Sequence, residues 1–380
     1  MKPDNNTDRT DRKKATRNSI YRYLYNCKGF CSRQTLSNEL GLSLPTVYQN
    51  LAELMDMGLV CAADEKLSTG GRRVEGLQII PDAHIAVGIS VGIDSFRISE
   101  VDLHLNELAY KKVSIHGPIN NVIEDYGDLI DVEVETFLDE FKIDRNRLLG
   151  IGFAFPGIVA EDGKTLEFAP TLGLRNVSLN KFVDRAPYPV HLENDANCGG
   201  GAEWFVRDAA NNIVYLSLEN GIGGAVFGNG MPYYGDNHRS GEFGHICVEP
   251  GGLKCSCGRY GCLEAYCSAR RISSDIGITL EEFFEGLQKR NVDYMLLWEN
   301  FLQHLAIGIN NIRMALDCDV VLGGYLSEYL ADYMPRLKEY LIALNPFETN
   351  ANYVHLSRQR KHSISMGAAL YFITKFLEEF

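Results

Sequence analysis

The chain has 380 residues, 45% of them hydrophobic and 23% charged, which is enough to build two or three globular units with buried cores. A formal net charge of −13 excludes a protein that coats nucleic acid or an anionic membrane along its whole length. No stretch reaches the roughly 18 uninterrupted apolar residues of a membrane helix, and the N-terminus lacks the apolar core of a secretory signal. We therefore expect a cytoplasmic protein that does not enter a membrane.

The charge is unevenly distributed along the chain. Residues 1–80 hold 12 Lys and Arg against 9 Asp and Glu, whereas the rest of the chain is strongly acidic. A mildly basic segment attached to an acidic body is typical of a DNA-reading module joined to a domain that does not bind DNA.

The first 80 residues are predicted to contain short helices followed by a hairpin. Ser32 is a candidate cap for one helix, which Gly41 ends, and Ser43 is a candidate cap for the next, with Pro45 in its first turn. Apolar residues at helical spacing give this second helix an inward stripe formed by Val47, Leu51 and Leu54. We expect its outward face to carry Thr46, Tyr48, Gln49 and Asn50.

Two extended segments around a glycine-rich tip, Ser68-Thr69-Gly70-Gly71-Arg72-Arg73, follow these helices. Helix, glycine turn, helix and hairpin in this order predict a winged helix-turn-helix over residues 1–80, whose second core helix enters the major groove of DNA. Gln49 and Asn50 suit paired hydrogen bonds to adenine, and Arg72 and Arg73 suit the minor groove or phosphates. The alternative is a small helical module that binds another protein.

From residue 81 onwards the pattern changes to alternating strands and helices. A buried-strand run at 84–91 precedes a helix near 122–141 and a second buried strand at 149–154. This order predicts an α/β body over residues 81–380. Further strands are predicted at 213–218 and 320–322, and further helices over 281–316 and 364–380.

Three cysteines and one histidine lie within 18 residues in the second half of the chain. Glycines between them let the backbone turn tightly enough for the side chains to converge, and three thiolates with one imidazole can close a tetrahedral zinc site. The predicted ligands of this structural Zn²⁺ are His245, Cys255, Cys257 and Cys262. The alternative, a set of buried free thiols, is the favoured interpretation for the other seven cysteines.

Two motifs around this cluster resemble those of the ROK family (repressor, open reading frame, kinase). One runs from Gly241-Glu242-Phe243-Gly244-His245 to Cys255-Ser256-Cys257-Gly258-Arg259-Tyr260-Gly261-Cys262-Leu263-Glu264, and the other is Glu193-Asn194-Asp195-Ala196-Asn197. The resemblance covers residues 84–380, and the N-terminal module is similar to that of the family's repressor branch. It implies an actin-like, ribonuclease-H-like ATPase fold of two lobes, about 81–190 plus the C-terminal helix and 191–360. It also implies sugar in the cleft and paired subunits, as a homodimer or a dimer of dimers.

The same resemblance implies which residues hold the sugar. They are Gly157, Asn194, Asp195, Glu242, His245 and Glu264, with His245 also a metal ligand. Carboxylates and an amide at fixed positions suit a pyranose, because its neighbouring hydroxyls both donate and accept hydrogen bonds. In the family's kinases the position of Asp195 is the general base. The alternative for Asn194 and Asp195 is a capped helix start.

The segments that hold nucleotide in the family's kinases are altered in this chain. Those kinases begin with Asp-x-Gly-Gly-Thr, whereas this chain has Ser90-Val91-Gly92-Ile93-Asp94, so the carboxylate for Mg²⁺, one glycine and a hydroxyl are lost. A second phosphate segment carries Glu219 near the expected phosphates. We therefore expect no catalytic residues and no productive binding of ATP.

Together these features predict a sugar-responsive repressor of carbohydrate-utilisation genes. Its expected partners are operator DNA and a monosaccharide or sugar-phosphate effector, which alters operator binding by shifting the protein between two states. The alternative is an ATP-dependent sugar kinase that carries a DNA-binding head. A hexose, an N-acetylhexosamine and xylose all stay open as the effector, and so does its role as inducer or co-repressor.

Overall fold

The computed structural model describes residues 5–27, 29–69, 72–93, 95–115, 122–169, 172–207, 212–228, 231–358 and 361–380. Three features of the sequence lie outside the described residues: the hairpin tip Gly70 and Gly71, Asp94, and the side chains of Arg72 and Arg73. None of the described helices is both long enough and apolar enough to cross a membrane.

Three helices and a two-stranded hairpin form the head of the protein (residues 5–79). The helices are α1 (Asn5–Asn26), α2 (Arg33–Leu40) and α3 (Leu44–Asp56), and the antiparallel strands are β1 (Val60–Thr69) and β2 (Arg72–Ile79). The predicted caps are confirmed, because the hydroxyls of Ser32 and Ser43 accept hydrogen bonds from the N–H groups of Thr35 and Thr46. Gly41 ends α2 with a φ of +63°, in the left-handed region that glycine tolerates.

Helix α3 buries one stripe and exposes another. The buried stripe includes, as predicted, Val47, Leu51 and Leu54. Tyr48 and Gln49 are exposed and Thr46 is half-exposed, but the prediction that Asn50 faces outwards is wrong. Asn50 is only 3% exposed, because it follows Val47 by three residues and so shares the buried face, and its amide donates to the Thr46 carbonyl at 2.8 Å.

The first sheet comprises β3 (Ile85–Val91), β4 (Ser95–Asp102), β5 (Glu107–Ser114), β6 (Leu148–Phe155) and β10 (Val190–Asn194), in the order β10-β6-β3-β4-β5. Strands β3, β4 and β5 pair antiparallel, whereas β6 pairs parallel with β3 and β10. The sheet therefore extends to Asn194, beyond the expected boundary near residue 190. The other elements of this part are α4 (Val122–Glu140), α5 (Asn180–Arg185) and a small sheet of β7 (Ile158–Val159), β8 (Thr165–Ala169) and β9 (Leu174–Ser178).

The second sheet comprises β11 (Ile213–Leu218), β12 (Ile222–Gly228), β13 (Met231–Pro232), β14 (Asp319–Gly323) and β15 (Val354–Leu356), in the order β13-β12-β11-β14-β15. The helices of this part are α6 (Asp195–Arg207), α7 (Leu263–Cys267), α8 (Leu280–Gln288), α9 (Val292–Leu316), α10 (Ser327–Leu330) and α11 (Met334–Leu344). The predicted strands at 213–218 and 320–322 and the helical stretch over 281–316 are thus confirmed. Their apolar side chains form the largest core cluster of the described chain.

The final helix, α12 (Ser363–Glu379), packs against β3 and β6 of the first sheet and against α6. The predicted amphipathic helix is present, but residues 363–370 are buried on every side. Glycines allow this close approach: a Cβ at Gly152 of β6 would lie 1.8 Å from the Ala368 carbonyl oxygen, and one at Gly367 would lie 1.8 Å from that of Cys198 in α6. Helix α12 is therefore held at backbone contact on two sides.

Candidate functional site

A polar cavity opens where β10 ends and α6 begins. It contains about 400 Å³ of empty space, part of it continuous with solvent. Most of its lining side chains can donate or accept hydrogen bonds, and they include Glu193, Asn194, Asn197, Tyr234, His238, Ser240 and Glu242. Two of the predicted sugar residues, Asn194 and Glu242, therefore line this cavity directly.

Asn194 is held in place by the backbone around it. Its amide donates to the Gly157 carbonyl at 2.9 Å, and its oxygen accepts from the Asn197 N–H at 3.0 Å. The second bond caps the first turn of α6, so Asn194 does make the cap that was weighed as its alternative role. Gly157 has no room for a side chain, because a Cβ there would lie 2.4 Å from the Phe168 carbonyl oxygen. Asn194 thus lines the cavity, and Gly157 holds its amide in place.

Asp195 lies close enough to two other carboxylates, Glu219 and Glu242, for their charges to act on it. Burial, together with the negative charges of Glu219 and Glu242, raises the pKa of Asp195 to about 7. Burial also raises the pKa of Glu219 and of Glu242, against the opposing charges of Arg97 and His245. Hydrogen bonds from the hydroxyls of a neutral ligand would stabilise the charged forms of these carboxylates.

The four predicted metal ligands, His245, Cys255, Cys257 and Cys262, form one cluster, in which their ligand atoms all lie within 4.8 Å of one another. Cys255 Sγ is 3.7 Å from His245 Nδ1, and Cys257 Sγ is 3.7 Å from Cys262 Sγ. Burial raises the pKa of Cys255, and raises that of Cys262 to about 12. At Cys257, burial is outweighed by hydrogen bonds from the Arg259 backbone and from Cys255, which lower the pKa. This set of donors can hold a metal ion.

His245 and Glu264 connect the cluster to the rest of the site. His245 turns Nδ1 towards Cys255 and Nε2 towards Glu242, whose Oε2 lies 3.9 Å away. Glu264 accepts a hydrogen bond from the Ile222 N–H at 3.2 Å and lies 3.7 Å from Cys255 Sγ. The metal cluster and the polar cavity are therefore neighbours that share His245.

A second cavity lies between the two sheets and the start of α12, and it contains about 850 Å³ of empty space, part of it open to solvent. Its lining includes Ser90 from β3, Glu219 after β11 and Gly324 after β14. Ser90 and Glu219 belong to the two segments that were compared with the nucleotide segments of kinases in the sequence. Ser90, the position at which we expected the carboxylate for Mg²⁺ to be lost, is 5% exposed.

A family model described as the ROK family matches residues 86–375. The chain belongs to the ROK family. It is 31% identical over 291 residues to the xylose repressor of Bacillus subtilis (strain 168), with 74% of each chain covered. The crystal structure of a ROK family transcriptional regulator, a homologue of Escherichia coli Mlc, superposes with a TM-score of 0.74 at 22% identity over 96% of each chain. A ROK family glucokinase from Streptomyces griseus, solved with glucose and AMPPNP, has a TM-score of 0.64 at 22% identity and covers 76% of this chain and 98% of its own.

The fold of this ROK protein is accordingly the α/β fold of the family's sugar kinases and regulators. The likeness to the regulator extends over the helices of the head, whereas the glucokinase covers only about three quarters of the chain. The expected family resemblance of residues 84–380 is therefore confirmed.

Sequence reasoning missed five polar residues that line the cavity of this ROK protein: Glu193, Asn197, Tyr234, His238 and Ser240. The Tyr234 hydroxyl donates to Glu193 Oε2 at 2.9 Å, and the other Glu193 oxygen accepts from the Asn197 amide at 3.0 Å. The rings of Tyr234 and His238 stack with centroids 5.2 Å apart. Glu193 stands inside the quoted Glu193–Asn197 motif, and the aromatic pair lies within ten residues before Glu242, which was the available signal.

The head of this ROK protein is joined to the body through the end of α12. Phe376 and Leu377 pack against the core of the head. The Arg22 guanidinium donates to the Glu378 carbonyl at 3.1 Å, and the Tyr25 hydroxyl donates to the Leu103 carbonyl beyond β4 at 2.7 Å. The head is thus fixed to the body by apolar packing and by hydrogen bonds to the backbone.

Proposed function

We propose that this chain is a sugar-responsive transcriptional repressor of carbohydrate-utilisation genes, acting in the cytoplasm as a homodimer or a dimer of dimers. The observation that carries the proposal is the course of α12. This helix packs on α6, whose first turn borders the polar cavity, and its end packs into the core of the head. The identity to a xylose repressor supports the same function.

The proposed DNA-reading unit is a winged helix-turn-helix in the head. Helix α3 is the recognition helix, and its outward residues Thr46, Tyr48 and Gln49 are available to base edges in the major groove. The Arg33 guanidinium lies over the Tyr48 ring, 5.1 Å from its centroid, and adds positive charge to the same face. The hairpin of β1 and β2 is the wing, with Arg72 and Arg73 as its phosphate or minor-groove contacts. Asn50 has no part in this surface because it is buried.

The proposed effector site is the polar cavity beside α6. Glu193, Asn194 and Glu242 line it, and with Asp195, His245 and Glu264 nearby they offer carboxylates, an amide and an imidazole to sugar hydroxyls. Gly157 would act through Asn194, because its carbonyl accepts the hydrogen bond that orients the Asn194 amide. A hydroxyl that lacks its partner would leave one of these groups unsatisfied, which is how such a site discriminates between sugars.

The proposed metal is a structural Zn²⁺ in the cluster of His245, Cys255, Cys257 and Cys262. A tetrahedral zinc site with Zn–S bonds of about 2.3 Å has ligand-to-ligand edges of about 3.8 Å. The distances from Cys255 Sγ to His245 Nδ1 and from Cys257 Sγ to Cys262 Sγ are both 3.7 Å, which supports zinc as the ion that these donors hold. When bound, zinc would fix the loop and the His245 ring, whose Nε2 faces Glu242.

Coupling between sugar binding and DNA binding requires that the dimer has two conformational states, one that binds DNA and one that releases it. The sugar must bind the state that releases DNA more tightly, because equal affinity for both states would shift nothing. A small displacement of α6 cannot be absorbed at Gly367, where backbone meets backbone, so it is passed to α12 and then to the head. The spacing of the two recognition helices would no longer match the operator.

We propose no enzymatic role, because the nucleotide segments lack what phosphoryl transfer needs. Ser90 offers no carboxylate to Mg²⁺, and Glu219 places negative charge in the cavity where phosphates would lie. Asp195 keeps the position of the kinase base, but a base without a held nucleotide performs no transfer.

The test uses the full chain in two assays. DNA that the protein selects from a random-sequence pool provides the operator, and its Kd is measured with and without D-xylose, D-glucose and N-acetylglucosamine at fixed salt. We expect one sugar to raise the operator Kd at least about tenfold. In parallel, each sugar is incubated with ATP and Mg²⁺. Steady formation of sugar phosphate, with no effect of sugar on DNA binding, would establish the kinase alternative.

A further inference from the structure

Cys247 lies at the base of the loop that carries three of the predicted metal ligands. It faces Cys262, the last of these three, across an isolated antiparallel bridge. The N–H after Cys247 donates to the carbonyl before Cys262 at 2.8 Å, and the N–H after Cys262 donates to the carbonyl before Cys247 at 3.0 Å. Because these hydrogen bonds flank the two cysteines, Cys247 and Cys262 form a non-hydrogen-bonded pair.

The register of this pair brings both side chains to one face of the two-stranded ribbon. Residues that oppose each other in such a pair have Cα atoms about 4.5 Å apart. Disulfides span Cα separations of about 4.4–6.8 Å, so a bond between the two sulfurs can close without rearranging the strands. Cys247 Sγ also lies 3.4 Å from the position that a Cβ would take on Gly261, which places the sulfur against the opposite strand, beside Cys262.

The two thiols differ in their access to solvent. Cys247 was expected to be a buried thiol, but it is exposed, whereas Cys262 is only 1% exposed. Cys262 belongs to the cluster of four candidate ligands, and Cys247 lies outside that cluster. The oxidation of cysteines by reactants in solution depends on exposure. Such a reactant therefore meets a thiol that the proposed zinc ion does not hold, directly opposite a thiol that the ion does hold.

We propose that Cys247 is a modification site for hydroperoxides, at which oxidation links it to Cys262 by a disulfide and displaces the proposed zinc ion. In the first step the Cys247 thiolate attacks a peroxide oxygen, the O–O bond breaks, and the alkoxide or hydroxide that leaves takes up a proton. In the second step the Cys262 thiolate attacks the sulfur of the Cys247 sulfenic acid, the S–S bond forms, and hydroxide leaves. The two thiolates lose two electrons in total, and the peroxide gains them.

The disulfide removes one of the four ligands of the proposed zinc site. The three donors that are left, His245, Cys255 and Cys257, no longer close a tetrahedron and hold the ion less tightly. Cys247 is at the surface, so a small thiol can reach the bond and reduce it again. The displacement of zinc rests on the metal site proposed above, whereas the disulfide requires only the register of the two strands.

Cys257 is the competing partner of Cys262. Its Sγ lies 3.7 Å from Cys262 Sγ, so oxidation of the metal ligands themselves could link these two cysteines without Cys247. The two outcomes differ in which cysteines are joined, and they therefore differ in the peptides that a digest of the oxidised protein contains.

Mass spectrometry of the full-length protein identifies the disulfide. The protein is treated with hydrogen peroxide, its remaining thiols are blocked with N-ethylmaleimide, and it is digested with trypsin without reduction. Cleavage after Lys and Arg places Cys247 in peptide 240–254, Cys262 in peptide 260–270, and the two other ligand cysteines in peptide 255–259.

We expect peptides 240–254 and 260–270 to be linked, and dithiothreitol to separate them. Peptide 260–270 also contains the fully buried Cys267, so fragmentation of the linked pair must place the bond on Cys262. A link only between peptides 255–259 and 260–270, or no link to peptide 240–254, overturns the proposal.

Release of zinc is followed in parallel with a chromogenic chelator, in the parent and in matched variants. Cys247→Ser changes an exposed side chain, and we expect it to release zinc at least about tenfold more slowly than the parent at the same peroxide concentration. Cys27→Ser removes an exposed thiol of the head and should release zinc at the parent rate. Equal rates in Cys247→Ser and the parent would show that peroxide attacks the zinc ligands directly, and the assignment of Cys247 would be withdrawn. A linked Cys247 in a protein that holds no zinc before oxidation would reject the metal site and support the disulfide, so the two proposals fail separately.

Discussion

The ring of Tyr21 in α1 packs against the ring of Phe380 at the end of α12, with centroids 4.6 Å apart. Tyr21 is fully buried, so a residue from the end of the chain completes the core of the head. The other end of the same helix lies at the second cavity. One rigid element therefore touches both the interior of the body and the DNA-reading unit.

Phe380→Ala is expected to uncouple the head from the body. The substitution removes the ring that contacts Tyr21, so sugar affinity should stay within about twofold of the parent while the sugar-induced change in operator Kd falls from about tenfold to less than about threefold. Fluorescence anisotropy with labelled operator measures this. Phe347→Ala is the control, because Phe347 is 81% exposed and lies far from the head in the chain. A full sugar response in Phe380→Ala would show that the contact of α12 with the head does not transmit the effect of sugar binding to the head.

Gly367→Ala is expected to destabilise the protein by about 1–3 kcal/mol or more, because its methyl group would lie 1.8 Å from the Cys198 carbonyl oxygen and would force α12 away from α6. Urea unfolding followed by circular dichroism measures the loss. Gly29→Ala adds the same methyl group where the nearest atom is 3.6 Å away, and it should be close to neutral. If both variants unfold at the same urea concentration, the packing of α12 on α6 is looser than the structure has it.

Local chemistry made most of the head predictable from sequence. Ser32, Gly41 and Ser43 act within one turn of their own positions, so cap and stop signals were sufficient to place α2 and α3. The prediction for Asn50 was wrong for a physical reason: its side-chain NH₂ group donates a hydrogen bond to the Thr46 carbonyl one turn earlier, which helps a polar residue to occupy the buried stripe. Residue polarity alone therefore misplaced it.

Contacts between residues that are distant in sequence could not be predicted from the sequence. Glu193 and Tyr234 meet only because β10 and the loop after β13 come together in the fold. The contact of Tyr21 with Phe380 spans almost the whole chain, and no local pattern indicates it. The Cys and His cluster was found because its ligands are close in sequence and their spacing restricts the geometry.

Glu242→Gln is expected to weaken sugar binding roughly ten- to a hundredfold, because a hydrogen bond to a charged group contributes about 1.5–3 kcal/mol. Isothermal titration with the effector sugar measures the loss, and operator affinity without sugar should be unchanged. Glu161→Gln, at an exposed position away from the cavity, is the control. Unaltered sugar affinity in Glu242→Gln would place the sugar elsewhere.

The raised pKa of Asp195 predicts a pH-dependent cost to stability. The folded chain binds this proton up to about pH 7, whereas the unfolded chain releases it near the usual value of 3.8. The unfolded state therefore holds fewer protons between these values, and the charge lowers stability progressively as the pH rises across this window. Asp195→Asn removes the charge, so its advantage in Tm over the parent should widen by several degrees between about pH 5 and about pH 8 and then stay constant. A difference in Tm between Asp195→Asn and the parent that does not change with pH would show that the pKa of Asp195 is not raised.

Cys257→Ser is expected to reduce bound metal well below one ion per chain, because it removes one of four converging ligands. Inductively coupled plasma mass spectrometry of the purified protein measures zinc directly. Cys27→Ser replaces an exposed cysteine of the head and should leave the metal content unchanged. Equal zinc content in the parent and in Cys257→Ser would remove this residue from the metal site.

The most direct test of a sugar-driven repressor is reciprocity between its two ligands. The Kd of the effector sugar is measured by titration calorimetry on the free protein and on the protein saturated with operator. If sugar binding and DNA binding are coupled through one change of state, operator must raise the sugar Kd by the same factor by which sugar raises the operator Kd, about tenfold or more. A sugar Kd that is identical with and without operator, together with a protein that remains bound to operator at saturating sugar, would contradict the account.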